Sequence, residues 1–192
     1  MLNPQFILAA LWIAWAAYWA VSAADVKHTQ RMEPAWSRWL HLGPIALAAA
    51  LLCRPHVEFA GLDRPLPALP IDGLGLAWAG TACTAGGLAF AVWARRHLGR
   101  NWSAPVTLKA NHELVTHGPY AIVRHPIYTG LLLAFAGSAL ARADVRGVVA
   151  IVIVFAALWR KLRLEERWMR EKFGPAYDDY ARRVRALVPF VW

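Results

Sequence analysis

The chain has 192 residues, of which 58% are hydrophobic and 17% charged, with eleven tryptophans and a formal net charge of +9. That length suits one domain, and that composition is too apolar for an ordinary water-soluble one. The basic excess does not point to nucleic acid, because no soluble basic domain remains once the apolar stretches are assigned.

Five stretches lack Asp, Glu, Lys and Arg and are rich in Ala, Leu, Ile, Val and Trp: residues 6–24, 39–53, 73–94, 126–141 and 147–159. They predict an all-α, polytopic membrane protein with about five transmembrane helices. The first and third are long enough to cross a hydrocarbon core of ~30 Å at ~1.5 Å per residue. The other three are short; flanking arginines can snorkel, and the fifth extends to roughly residues 145–164. The first run has no basic n-region and reads as a retained membrane helix rather than a signal peptide. The link Arg142-Ala143-Asp144-Val145-Arg146 is tight enough to make the last two spans an antiparallel hairpin.

Charge sets the orientation. With the N-terminus outside, all the Lys and Arg residues except Arg54, Arg64, Arg142 and Arg146 fall on the inner side. That bias predicts five spans with a cytoplasmic C-terminus and a surface drawn to anionic lipid headgroups. The Ala-, Arg- and Trp-rich composition suggests a bacterial inner membrane.

Residues 1–72 form an N-terminal helix pair with a Pro-rich outer loop that begins Arg64-Pro65-Leu66-Pro67, and residues 73–192 form the core unit. The third span carries Gly80, Cys83, Ala85, Gly86 and Gly87, and the fourth Gly130, Ala134, Gly137 and Ser138. Small residues at these spacings let membrane helices approach closely. Beyond Leu164 the pattern is amphipathic. Met169, Phe173, Tyr177, Tyr180, Val184 and Leu187 form one apolar stripe, broken at Gly174-Pro175. This is a cytoplasmic interfacial helix, resting on headgroups or covering the mouth of the bundle.

The densest chemistry lies at His117-Gly118-Pro119-Tyr120 and Arg124-His125-Pro126-Ile127-Tyr128. Pro126 suits the first turn of a helix and pushes His125 out of the α region. The amides just after Pro126 are then free to bind an anion. Arg124 and Tyr128 lie beside His125, an arrangement that suits either headgroup anchoring or a binding site. Glu165-Glu166 follows Arg160, Lys161 and Arg163 at the cytoplasmic end of the fifth span. It is either a solvated helix end or a buried ionic cluster. His112-Glu113-Leu114-Val115-Thr116 begins like a zinc-binding HExxH but has Thr for the second ligand, so no metal is expected. His28, His41 and His56 read as interfacial polar residues, and His97 and His117 have no evident partner. No GxGxxG follows a predicted strand, which excludes a Rossmann cofactor site. Cys53 and Cys83 lie in apolar runs and read as packing residues.

From about Trp93 to Pro189 the chain resembles the isoprenylcysteine carboxyl methyltransferase family of integral-membrane enzymes. The resemblance rests on Leu98-Gly99-Arg100-Asn101-Trp102-Ser103, His112-Glu113-Leu114-Val115, the His125-Pro126 segment, Glu165-Glu166 and Phe173-Gly174-Pro175-Ala176-Tyr177. It implies S-adenosylmethionine as cofactor, contacted by His112, Glu113, Leu114, Val115, Tyr120, His125, Pro126, Ile127 and Tyr128. It also assigns one glutamate of the Glu165-Glu166 pair, best aligned to Glu165, to the cofactor. A basic residue one turn earlier would meet the methyl acceptor: Lys161 by spacing, with Arg160 the near alternative. The family usually has Arg there.

The chemistry fits these residue types. The cofactor's carboxylate suits free amides with His125 or Arg124, its ammonium suits a glutamate, and its nucleoside suits Tyr120 and Tyr128. A carboxylate acceptor is already ionised and needs no general base; a phospholipid amine or a thiol would have to lose a proton. The expected partners are a lipophilic methyl acceptor from the bilayer and membrane lipids. Two rival readings stay open. One is a sterol-reductase-like NADPH-dependent oxidoreductase, which usually lacks Pro after the motif His. The other is a non-enzymatic membrane protein.

Overall fold

A computed structural model describes residues 3–23, 29–53, 61–67, 72–103, 105–109 and 113–189. Six helices dominate: α1 (Pro4–Ser22), α2 (Ala35–Cys53), α3 (Gly73–Leu98), α4 (Pro126–Arg142), α5 (Val145–Phe173) and α6 (Pro175–Arg183). Local chemistry fixes their starts. Asn3, Asp72 and Asp144 cap α1, α3 and α5 by accepting from the amides of Gln5, Gly75 and Gly147 at 2.9, 2.5 and 3.0 Å. Proline occupies the first turn of α1, α4 and α6. Gly174, at φ 52°, ends α5 and turns the chain into α6.

Two helical runs, Pro4–Ser22 and Gly73–Asn101, are long and apolar enough to cross a membrane. The helices also depart from the apolar stretches in length. α2 begins at Ala35, and α5 runs unbroken for 29 residues to Phe173. No Gly or Pro interrupts α5 beyond Trp159, so the change from apolar to charged sequence changes its surroundings without ending it.

The all-helical expectation needs one correction. β1 (Thr29–Met32) and β2 (Thr107–Lys109) pair antiparallel, with Thr29 opposite Lys109 and Met32 opposite Thr107. Strands of four and three residues are too short for alternation to register in the sequence.

The centre of the bundle is the antiparallel pair α3–α4. Gly80 faces Gly137, and Gly87 faces Gly130; a Cβ at Gly87 would lie 2.5 Å from the Gly130 carbonyl oxygen. Only hydrogen fits there, so the backbones meet directly. Thr84 Oγ1 donates to the Ala134 carbonyl at 3.1 Å, and Trp12 Nε1 donates to Ser138 Oγ at 3.0 Å, which fastens α1 to the pair. α2 packs along α5. The hairpin between α4 and α5 turns at Ala143 (φ 54°), where Arg142 and Arg146 bind Asp144, and Arg146 also reaches Asp63 at 2.5 Å. The Leu66 amide donates to the Ala143 carbonyl at 2.9 Å, so the described part of the Pro-rich loop is fastened to this end.

Candidate active site

The sequence between α3 and α4 folds back under the bundle through a 3-10 turn at Gly118–Ala121. It delivers His125 to the N-cap of α4 and Pro126 to its first position. Residues 185–187 then run alongside. The amides of Arg124 and His125 donate to the carbonyls of Arg185 and Ala186 at 2.7 and 3.0 Å, and Thr129 Oγ1 donates to the Leu187 carbonyl at 2.7 Å. Helix geometry leaves the N–H groups of Ile127 and Tyr128 without an intrahelical acceptor.

His125 stands between two carboxylates from α5. Its Nδ1 is 3.6 Å from Glu165 Oε2, and its Nε2 is 3.4 Å from Glu166 Oε1. Glu165 also accepts from the Tyr128 hydroxyl at 2.5 Å, and its Oε1 lies 4.0 Å from Lys161 Nζ, one turn earlier. The rings of His125 and Tyr128 stack with centroids 5.4 Å apart. Lys161 Nζ lies 5.4 Å from the Tyr128 ring centroid. Burial opposes the charged form of His125, yet the two carboxylates raise its pKa above the ordinary 6.5. Burial likewise opposes ionisation of Glu166, but His125 and Arg124 pull its pKa down to about 2. Glu165 is lowered too, with His125 and Lys161 outweighing its burial.

Arg124 is committed to the frame. Its Nε donates to Glu166 Oε1 at 2.9 Å, Nη2 donates to the same oxygen, and Nη1 donates to the carbonyls of Ala181 and Val184 at 3.1 and 2.5 Å. It joins α4, α5 and α6 rather than presenting a free fork. Tyr180 reinforces the junction, donating to the Tyr120 carbonyl at 2.6 Å.

A cavity of about 400 Å³ opens against this cluster. Of the residues singled out in the sequence, Glu113, Leu114, Val115, Tyr120, Arg124, His125, Pro126, Ile127, Tyr128, Lys161 and Glu165 line it. Two of the described ones do not. Glu166 faces Arg124 behind the wall. Arg160 points the other way, toward α2, where its guanidinium donates to Ser37 Oγ at 2.9 Å and to the Ser37 carbonyl at 3.1 Å. Successive helical residues diverge by ~100°, so Lys161 shares a face with Glu165 and Arg160 does not. His112 lies outside the described residues.

The sequence reading missed a whole wall. Trp15 and Trp19 of α1, Leu42 and Ile45 of α2, and Asn101, Trp102 and Ser103 after α3 line the same cavity. The indole pair at i, i+4 on α1 was the available signal, but it is indistinguishable in sequence from a membrane-interface tryptophan pattern. His41 is also no surface residue. It is fully buried, with Nε2 3.4 Å from Glu33 Oε1, and Glu33 binds the Ser37 hydroxyl and the Val106 amide. His97 and His117 face each other with ring centroids 5.9 Å apart.

The donor set matches a zwitterionic ligand with an aromatic part. One end offers open helix amides and His125, whose charged form its two carboxylate neighbours favour. Beside it lies the Glu165 carboxylate, and the walls are tyrosines and tryptophans.

A family model described as phospholipid methyltransferase matches residues 76–176. A probable protein-S-isoprenylcysteine O-methyltransferase of Oryza sativa subsp. indica is 36% identical over 84 residues, 42% of this chain and 42% of that protein. Protein-S-isoprenylcysteine O-methyltransferase B of Arabidopsis thaliana is 36% identical over 85 residues, 42% of each. A cobalt-zinc-cadmium resistance protein of Cupriavidus metallidurans is 33% identical over 94 residues, 48% of this chain and 43% of that protein. The chain spans less than half the length of each of these curated relatives.

Proposed function

The chain belongs to the phospholipid methyltransferase family, and from that membership we propose that it is an integral-membrane, S-adenosylmethionine-dependent methyltransferase acting on a lipophilic acceptor. The observation that carries this reading is the His125–Glu165–Tyr128 cluster, set against open helix amides at one end of an aromatic cavity. The cofactor would supply an electrophilic methyl group on a sulfonium.

The chain's own residues supply binding and alignment. The amides of Ile127 and Tyr128, with His125, hold a carboxylate. Glu165 balances an ammonium. The faces of Tyr120 and Tyr128 pack a nucleoside or lie beside a positive sulfur. Lys161, on the same face as Glu165, meets the acceptor's negative charge, while Arg124 is a positioning residue that holds α6 and Val184 beside the site. Leu114, Val115, Pro126 and Ile127 exclude water, and no proton need move if the acceptor is a carboxylate. The names of the Oryza and Arabidopsis relatives favour such an acceptor.

The core unit, residues 73–192, would carry the ionic cluster, and residues 1–72 would be the N-terminal unit, which adds a wall to the cavity. Five spans with the C-terminus in the cytoplasm put α6 and the cluster on the cofactor's side of a bacterial inner membrane. The acceptor enters laterally from lipid. The test is methyl transfer from S-adenosyl-[methyl-³H]methionine into the organic extract of membranes that contain the chain. Label that rises with the chain and falls with Lys161→Ala supports the reading; an unlabelled extract from folded, cofactor-binding protein contradicts it.

A further inference from the structure

Glu33, Ser37, His41 and Arg160 form a second polar cluster, between α2 and α5, that the binding chemistry above does not use. Glu33, Ser37 and His41 are all buried. Glu33 closes on Val106, the residue before β2, in both directions. Its amide donates to the Val106 carbonyl and its carboxylate accepts from the Val106 amide, each at 3.0 Å. The same carboxylate accepts from the Ser37 hydroxyl at 2.8 Å. A hydroxyl has one proton to give. With that proton on Glu33, the lone pairs of Ser37 Oγ are left for Arg160. Its Nη2 donates to this oxygen at 2.9 Å, and its Nη1 donates to the Ser37 carbonyl at 3.1 Å. His41 Nδ1, 3.5 Å from Nη1, can only accept from a guanidinium, which leaves the Nε2 proton facing Glu33 at 3.4 Å. Each group in the cluster thus sets the orientation of the next.

Replacing a buried ionic set of this kind by apolar residues is often neutral or stabilising, so stability alone does not account for it. Its geometry bears on one cavity residue. Arg160 and Lys161 are consecutive on α5, and consecutive helical side chains diverge by ~100°. Two hydrogen bonds from one guanidinium to one residue of α2 fix the rotation of α5 at that level, and with it the direction of Lys161. Lys161 Nζ stands 4.0 Å from Glu165 Oε1 and 5.4 Å from the centre of the Tyr128 ring, a placement that holds only while α5 keeps this rotation. We propose that Arg160 is a positioning residue: anchored by Glu33, Ser37 and His41, it holds α5 in the rotation that turns Lys161 toward the methyl acceptor. Glu33, Ser37 and His41 lie outside residues 76–176, the stretch matched by the family model, while Arg160 and Lys161 lie inside it. The N-terminal part of the chain therefore sets a residue of the matched core. The word acceptor rests on the methyltransferase reading; the hold on Lys161 does not.

The first test reads the placement of Lys161 without relying on turnover. Reductive methylation of the full chain in detergent with [¹³C]formaldehyde turns each lysine into a dimethylamine that keeps its charge. The Lys161 resonance, identified by its loss in Lys161→Arg, should stand apart from that of exposed Lys172, because Tyr128 and Glu165 lie beside it. Arg160→Met should move it to the Lys172 position, and Ser37→Ala should move it part of the way. If Arg160→Met does not fold, Ser37→Ala carries the test. An unmoved resonance in the folded variants overturns the proposal. A double-mutant cycle tests the functional half, with methyl transfer into the organic extract of membranes as the readout. Arg160→Met should lower the rate about tenfold or more and leave S-adenosylhomocysteine affinity unchanged. In a Lys161→Ala background the same substitution should lower it by less than about twofold, because its effect passes through the missing amine. Equal losses in the two backgrounds make Arg160 a purely structural residue and overturn the proposal. If the folded, unaltered chain transfers no methyl group, the methyltransferase reading falls, and the Lys161 resonance alone decides whether Arg160 holds that side chain.

Discussion

At the scale of single residues, the site is a charge arrangement in which each group is held in its state by the next. Glu165→Gln removes the carboxylate that faces His125, Tyr128 and Lys161, and His125→Ala removes the imidazole between the two glutamates. Each should weaken S-adenosylhomocysteine binding at least tenfold in calorimetry while the protein stays folded in detergent. Lys161→Ala should leave that affinity intact and lower turnover. The pH dependence follows from the shifts. His125 has a raised pKa, so its contribution to stability is complete below 6.5 and fades as pH rises through the higher folded value. Glu166 has a lowered one, so its contribution is complete above 4.5 and is lost as pH falls toward about 2. The unfolding temperature of the unaltered chain should therefore exceed that of His125→Ala most between pH 4.5 and 6.5, a gap that narrows on both sides.

At the scale of elements, the α3–α4 contact is the least forgiving part of the fold. Gly87→Val should cost about 3 kcal/mol or more, because the new side chain meets backbone, which cannot rotate away. Gly86→Ala is the control. One residue away, an added Cβ meets nothing within 4 Å, so the substitution should be neutral or stabilise by up to about 1 kcal/mol through helix propensity. Unfolding in detergent for the pair checks both. The helices and this glycine seam were legible because apolar runs and small-residue spacing are local signals. So was the break at Gly174-Pro175, where both residues have a fixed conformational meaning. The β1–β2 pair was not legible, since three or four residues carry no periodicity. The His41–Glu33 contact and the tryptophan wall were hidden for a related reason. The wall joins residues far apart in sequence, and at each of its positions lipid exposure and burial call for the same residue types, while the nearer pair His41 and Glu33 follows no periodic pattern that would announce a contact.

At the scale of the whole molecule, the ionic cluster and α6 share one end of the bundle. The Asp63–Asp144–Arg146 lock closes the other. The five-span reading puts the first end in the cytoplasm. A cysteine at Asp179→Cys, on exposed α6, should react with a membrane-impermeant maleimide only in inverted vesicles, and one at Arg64→Cys only in right-side-out cells. Both reagents acting from the same side would overturn the orientation. The site residues legible in sequence came from the second half of the chain. The cavity is nevertheless completed by α1 and α2, so the N-terminal helices belong to the site's architecture.

The central claim is that the cavity between α4 and α5 receives S-adenosylmethionine. Its most direct test is calorimetric titration of the purified chain with S-adenosylhomocysteine, with NADPH as the comparison ligand. The account predicts saturable, one-to-one binding of S-adenosylhomocysteine, abolished or strongly weakened by Glu165→Gln, and none of NADPH. Binding of NADPH alone would make the chain a reductase-like protein, and equal affinity for S-adenosylhomocysteine in the Glu165→Gln and His125→Ala variants would contradict the site.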